Sequence, residues 1–168
     1  MIEIRVTEET IIKARERAVL MGELRNSIRH GEGNLVGFIG EIVVNEYISG
    51  ELVDTYDYDL TKNETKFDVK TKETSVKPKP YYECSIPDFN PNQNCDYYIF
   101  ARVHKNLDRC WILGYKSKEA YFAESRFLKK GDVDGDNGFV VKADCHNLEF
   151  SRLEPMEQFS ETFQAFHR

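Results

Sequence analysis

The residues whose types and spacing could do chemistry cluster between positions 57 and 72. Tyr56-Asp57-Tyr58-Asp59-Leu60 precedes Lys66-Phe67-Asp68-Val69-Lys70-Thr71-Lys72, with Asn63-Glu64 between them. If Asn63-Glu64 turns a hairpin, Lys62 faces Thr65, Asp59 faces Asp68 and Asp57 faces Lys70. Side chains alternate across a strand, so Asp57, Asp59, Asp68, Lys70 and Lys72 then share one face. Tyr58, Leu60, Phe67, Val69 and Thr71 share the other, against the core. A slip of one residue would change which residues share a face. Three carboxylates on one face repel, which raises a pKa or costs stability unless something compensates. A hard divalent cation is the natural compensation, because Mg²⁺ binds through one or two carboxylates and keeps waters for a phosphate. The pattern supplies acids for a metal and bases for a phosphate.

These residues need elements to position them. Ile11, Ala14, Ala18, Met21, Leu24 and Ile28 recur at helical spacing, which predicts a first helix from Thr7 or Thr10 to about residue 29. His30-Gly31-Glu32-Gly33 ends it, and Asn34 is read as the cap of a second helix through about Ile48. Leu35, Phe38, Ile39, Ile42, Val43 and Tyr47 form its expected buried stripe. After Ser49-Gly50 the period becomes two. Strands are expected over 51–60, 66–76 and 80–86, then a turn-rich crossover from Pro87 to Asn94 with at most one helical turn. Residues 96–104 and 109–115 read as a buried antiparallel pair. Ser117 caps a helix to about Leu128, 139–142 is a short strand, and a last helix covers 155–166 with Pro155 in its first turn. Two helices, then strands, then mixed elements give an α/β fold: a mixed central sheet flanked by helices, with C-terminal additions, in a single domain over 1–168.

Composition sets limits. At 168 residues, with 40% hydrophobic and 31% charged residues, the chain can bury a substantial core and is neither disordered nor collagen-like. Its net charge of −6 argues against a protein that coats nucleic acid non-specifically. It is compatible with a nucleic-acid enzyme, whose metal site needs local acids. No apolar run approaches a membrane span, and MIEIRVTEET has acids where a signal peptide has bases, so a cytoplasmic protein without membrane partners is expected. Cys84, Cys95, Cys110 and Cys145 match no zinc-ligand spacing and are read as reduced thiols. There is no phosphate-binding G-x-x-x-x-G-K-[ST] and no G-x-S-x-G. Asp132 to Gly138 begins like a calcium loop but has Asn137 where that loop requires Gly, and is read as an acidic turn. Trp111 is assigned to the core, and alternation predicts one core partner in each of Tyr81-Tyr82 and Tyr97-Tyr98.

Asp57 or Asp59 followed by Asp68-Val69-Lys70 resembles the PD-(D/E)xK nuclease superfamily, which includes restriction endonucleases, Holliday-junction resolvases and lambda-type exonucleases. Glu41, in Gly37-Phe38-Ile39-Gly40-Glu41, stands where that family often carries a helical Glu. The glycines at 37 and 40 would let the helix lie close to the sheet. The resemblance covers about residues 34–104 and leaves the rest of the chain unaccounted for. It implies a restriction endonuclease-like core and a Mg²⁺- or Mn²⁺-dependent deoxyribonuclease, an endonuclease or exonuclease of DNA repair, recombination or phage DNA processing. DNA is the implied partner, and a homodimer is an assembly it allows. The implied catalytic set is Glu41, Asp57, Asp59, Asp68 and Lys70. The implied metal ligands are Asp68, the carbonyl of Val69, Asp57 or Asp59, and Glu41 directly or through water. Register favours Asp59; the family's usual separation favours Asp57. Lys70, a cation among carboxylates, is expected to orient water and offset transition-state charge rather than take a proton. Lys66, Lys72 and Lys77 are expected to contact nucleic acid, within a basic run that also holds Lys62 and Lys79 and that Arg25, Arg29, His30, Arg126, Lys129 and Lys130 could extend. The rival expectation is a non-catalytic nucleic-acid-binding or assembly protein that keeps the fold.

Overall fold

The structure, a computed structural model, describes residues 1–25, 32–53, 55–88, 92–134 and 138–164, with the side chains of 22–25, 32–34, 161 and 164 left aside. Strand β1 (Ile2–Arg5) leads into helix α1 (Glu8–Arg25), then α2 (Glu32–Ile48), β2 (Glu51–Leu52), β3 (Leu60–Lys62) and β4 (Thr65–Thr74). There follow β5 (Glu83–Pro87), β6 (Tyr97–His104), β7 (Arg109–Ser117), α3 (Lys118–Glu124), β8 (Arg126–Leu128) and β9 (Cys145–Glu149). Two short 3₁₀ turns and α4 (Phe159–Gln164) complete the described chain. The main sheet has six strands in the order β1-β7-β6-β4-β3-β2, and a second sheet has the order β5-β9-β8. Among the described strands only β4 and β6 pair in parallel, so the fold is a mixed α/β one as expected.

Helix α2 is the central packing element. Ile39, Ile42, Val43, Val44 and Ile48 are buried against Val69, Phe67 and Ile99 of the sheet and against α1. At roughly 1.5–3 kcal/mol per fully buried aliphatic side chain, this face is a major source of stability. The helix is covered on two sides, by α1 and by the sheet, so its buried arc is wider than a single stripe. That is why Val44 is fully buried while Tyr47, placed in the stripe by sequence, is exposed. Asn34 lies inside the helix, which begins at Glu32. The expected end of the first helix, with Ile28, Arg29, His30 and Gly31, lies outside the described residues.

The hairpin turns where expected. Asn63 and Glu64 both have positive φ, the signature of a tight two-residue turn, and Lys62 pairs with Thr65 and Leu60 with Phe67. The strand expected over 51–60 is largely absent. Thr55 Oγ1 donates to the Tyr58 carbonyl and accepts from the Tyr58 amide, and Val53 donates to the carbonyl of Asp59. These local bonds fold 55–59 into a loop, because a threonine hydroxyl can satisfy the backbone groups that a neighbouring strand would otherwise take.

Four further expectations are corrected. Residues 2–5 form an edge strand on β7 that was not anticipated. The strand expected over 80–86 is present as β5, but it joins the second sheet rather than the main one. The helix begun by Ser117 stops at Glu124, and Arg126–Leu128 is a strand. Residues 145–149, not 139–142, supply the strand between β5 and β8; Val140 makes only an isolated bridge to Val133.

Candidate functional site

Strand β3 covers one side of β4 only as far as Phe67. Beyond it that edge of β4 is open, while the other edge pairs with β6 from Phe67 to Thr74. The candidate site is built at this open edge. Asp59, the last residue of the loop before β3, donates its amide to the Phe67 carbonyl, and its Oδ2 accepts the Val69 amide at 2.7 Å. A charged oxygen thus replaces the missing strand. The amide and carbonyl of one strand residue point the same way, so the Val69 carbonyl also faces this edge.

The two faces of β4 contribute different groups. Phe67, Val69 and Thr71 face α2. A Cβ on Gly40 would come within 2.0 Å of Thr71 Oγ1, so only glycine allows the helix this close. Gly37 has nothing within 4 Å of the same position and is not needed for the approach. Asp68, Lys70 and Lys72 face the other way, beside Tyr98, Phe100 and Arg102 of β6. Lys70 Nζ lies 2.6 Å from Asp68 Oδ2 and 5.9 Å from the centroid of the Tyr98 ring. Asp68 is 4% exposed, and its Oδ2 has that ion pair but no directed hydrogen bond. Burial first, then the charge of Asp68, pushes the Cys95 thiol up to about 11.

Glu41 approaches from the α2 side. Its carboxylate meets Arg17 Nη2 at 3.3 Å and is only 13% exposed. Helix and acid-x-Lys strand therefore do not present their carboxylates on one face. Glu41 is on the α2 side and Asp68 on the other face of β4. The Asp59 carboxyl is held well above its ordinary range by burial, then by Asp68, then by Glu41, against smaller opposing effects of the Val69 amide and Lys70. Asp57 is in the loop, where neither its expected pairing with Lys70 nor an effect on Asp59 is found among the described residues.

A cavity of about 200 Å³ lies beyond these carboxylates along β4, lined by Gly37, Lys70, Thr71, Lys72 and Arg102 but by none of Glu41, Asp59 and Asp68. Lys72 is an exposed residue, yet desolvation and then the neighbouring Arg102 hold its pKa below the usual lysine range. Lys66 stands over the Tyr58 ring at 5.4 Å, on the same strand face as Asp68. Lys77 is elsewhere: it pairs with Glu3 at 3.4 Å. Glu3 is in register with Trp111, Trp111 with Arg102 and Arg102 with Lys72, so Glu3 lies three strands away, about 14 Å at ordinary strand spacing. Lys62 donates to the Ile48 carbonyl at the end of α2, and Arg126 is held by Glu83 and Asp134.

The donor set suits a hard cation. It consists of carboxylates and a strand carbonyl, one carboxylate is strained by its neighbours, and one buried oxygen lacks a directed hydrogen bond. Among the described residues, no three acidic, His or Cys side chains already converge to ligating distance. Here Arg17 and Lys70 supply the compensating charge to Glu41 and Asp68. Sequence reasoning missed Arg17 and Arg102. The signal for Arg102 was visible: a lone charge within Ile99-Phe100-Ala101-Arg102-Val103 of a core strand.

No family model matches the chain, and no curated protein matches it.

Proposed function

We propose that the protein is a metal-dependent nuclease that hydrolyses DNA phosphodiester bonds in DNA repair, recombination or phage DNA processing, with a restriction endonuclease-like core. The observation that carries the reading is Asp59 bonded to the Val69 amide at the open edge of β4, next to the buried Asp68 and its Lys70. The order of helix with Glu41, hairpin, crossover and parallel strand β6 is the order of the PD-(D/E)xK core, although the crossover carries a strand.

Asp68, Asp59 and the Val69 carbonyl would hold Mg²⁺ or Mn²⁺, with Glu41 directly or through water; Asp59 takes this role in preference to Asp57 because it alone bonds the Val69 amide. Such an ion supplies an activated water and neutralises charge on the phosphoryl oxygens. Lys70 donates to the attacking water or a phosphoryl oxygen and stabilises the charge that develops there. Arg17 orients Glu41 through their ion pair, and Asp59 fixes the edge of β4 by its bond to Val69. Lys72 and Lys66, on the same face as Lys70, take neighbouring phosphates of the bound strand. Lys77, occupied by Glu3, is not part of this set.

The test is incubation with plasmid, linear and branched DNA, plus Mn²⁺ or Mg²⁺ against EDTA. Cleavage is expected with metal only, falling at least about 100-fold in Asp68→Ala and Lys70→Ala, the scale of losing a catalytic electrostatic group. Binding without cleavage of any form would instead identify a non-catalytic nucleic-acid-binding protein.

A further inference from the structure

A second cavity, of about 590 Å³, adjoins the first between the two sheets, and both are lined by Lys72, Ser85 and Arg102. Arg102 is 9% exposed. Its Nη2 donates to the Glu83 carbonyl at 2.7 Å, and among the described residues no carboxylate lies within ion-pair distance of it or of Lys72. The two residues are in register on β6 and β4 and share a face. Two adjacent cations, one of them buried, without an acid partner are costly unless an anion joins them.

The acids of this cavity are engaged elsewhere. Glu83 and Asp134 are bound by Arg126 at 2.7 and 2.9 Å, and Asp144 accepts the Lys130 amide at 2.7 Å. The cavity is also aromatic. Tyr81, Tyr82 and Phe139 line it, with the two tyrosine rings edge to face at 5.3 Å and Lys142 over Phe139. The lining thus combines an anion site at the Lys70 end with aromatic surface beyond it. Its size lies within the usual range for small-ligand sites.

We propose that this cleft receives one nucleotide of the strand being cut, adjacent to the scissile phosphate, with its phosphate between Lys72 and Arg102 and its base against Tyr82 and Phe139. The identity of the strand as a substrate rests on the nuclease reading; the nucleotide site does not. It requires a base that leaves a duplex stack or is already unpaired, so single-stranded, frayed or branched DNA is favoured over continuous duplex.

Binding is measured by titration calorimetry on the full chain in EDTA, with thymidine 5′-monophosphate, thymidine and inorganic phosphate as probes. The monophosphate is expected to bind at least about tenfold more tightly than either fragment, since it alone engages both halves of the cleft. Lys72→Gln and Arg102→Gln should each weaken it about tenfold, the scale of one lost charged hydrogen bond. Arg102 is buried, so Lys72→Gln, at an exposed position, is the decisive variant. Monophosphate binding no tighter than phosphate, or unchanged in Lys72→Gln, overturns the proposal. Monophosphate binding by a protein that cuts no DNA would retain the cleft and remove the hydrolytic reading. Metal-dependent cutting without monophosphate binding would do the reverse.

Discussion

At the scale of single residues, Asp59 is the most informative group. Its carboxyl is raised above 3.8, the ordinary value for an aspartate, chiefly by burial and next by Asp68 and Glu41. The folded chain therefore holds this proton more tightly than the unfolded chain does. The stability contributed by the protonated carboxyl is complete below the unfolded value and is lost as pH rises through the folded one. In Asp59→Asn the amide oxygen can still accept the Val69 amide, but there is no charge to bury. In EDTA near neutral pH that variant should be more stable than wild type, and the advantage should shrink as pH falls through the raised folded value and be gone below about 4, where the unfolded carboxyl is protonated too. Urea unfolding across that range measures it. A variant less stable than wild type at neutral pH would show that the carboxylate is well accommodated where it stands. The thiols are a contrast: burial pushes Cys84 and Cys110 up to about 12, so neither is a nucleophile at neutral pH.

At the scale of elements, the contact between α2 and β4 sets the reach of Glu41. Its two nearby glycines differ in what a methyl would meet. At Gly40 the new Cβ would fall within 2.0 Å of Thr71 Oγ1 and 2.9 Å of Thr71 Cβ. The helix propensity gained from alanine, about 1 kcal/mol, is smaller than the overpacking cost of roughly 1–3 kcal/mol. Gly40→Ala should therefore lower the melting temperature, and adding Thr71→Ala should recover part of the loss because the hydroxyl is the nearest obstacle. At Gly37 nothing opposes the methyl, so Gly37→Ala should raise stability by up to about 1 kcal/mol. Thermal melts of the three variants check the contrast. Equal behaviour of Gly37→Ala and Gly40→Ala would mean that the helix does not rest on Thr71.

At the scale of the whole molecule, a net charge of −6 coexists with a basic edge. Arg126 binds Glu83 and Asp134, and Arg17 and Lys70 bind Glu41 and Asp68, so the overall sign of charge says little about the local one. None of the described helices is long and apolar enough to cross a membrane. If Glu41, Asp59 and Asp68 take up a divalent ion, it stabilises the folded chain by mass action. Millimolar Mn²⁺ should raise the melting temperature of the wild type by several degrees, the shift expected for about 1–2 kcal/mol in a chain of this size. It should raise that of Asp68→Asn much less. Equal shifts would count against an ion at Asp68.

The local features were readable in the chain itself: the amphipathic helices, the Asn63-Glu64 turn, the Lys62–Thr65 register and the burial of Trp111. Each depends on residues a few positions apart, whose turn chemistry and periodicity are written consecutively. Alternation also put Asp68, Lys70 and Lys72 on one face. It misread residues 55–59 because Tyr and Asp alternate there as in a strand, while Thr55 closes a loop. Only the tertiary structure decided that Asp59, not Asp57, reaches Val69 and that Glu41 comes from the opposite side of the sheet. The same holds for Lys77, drawn away by Glu3, and for Arg102, which lines a cleft. Those outcomes depend on which strand ends first and on what lies across a sheet. Distances set by packing between remote segments leave no periodic trace in the order of residues.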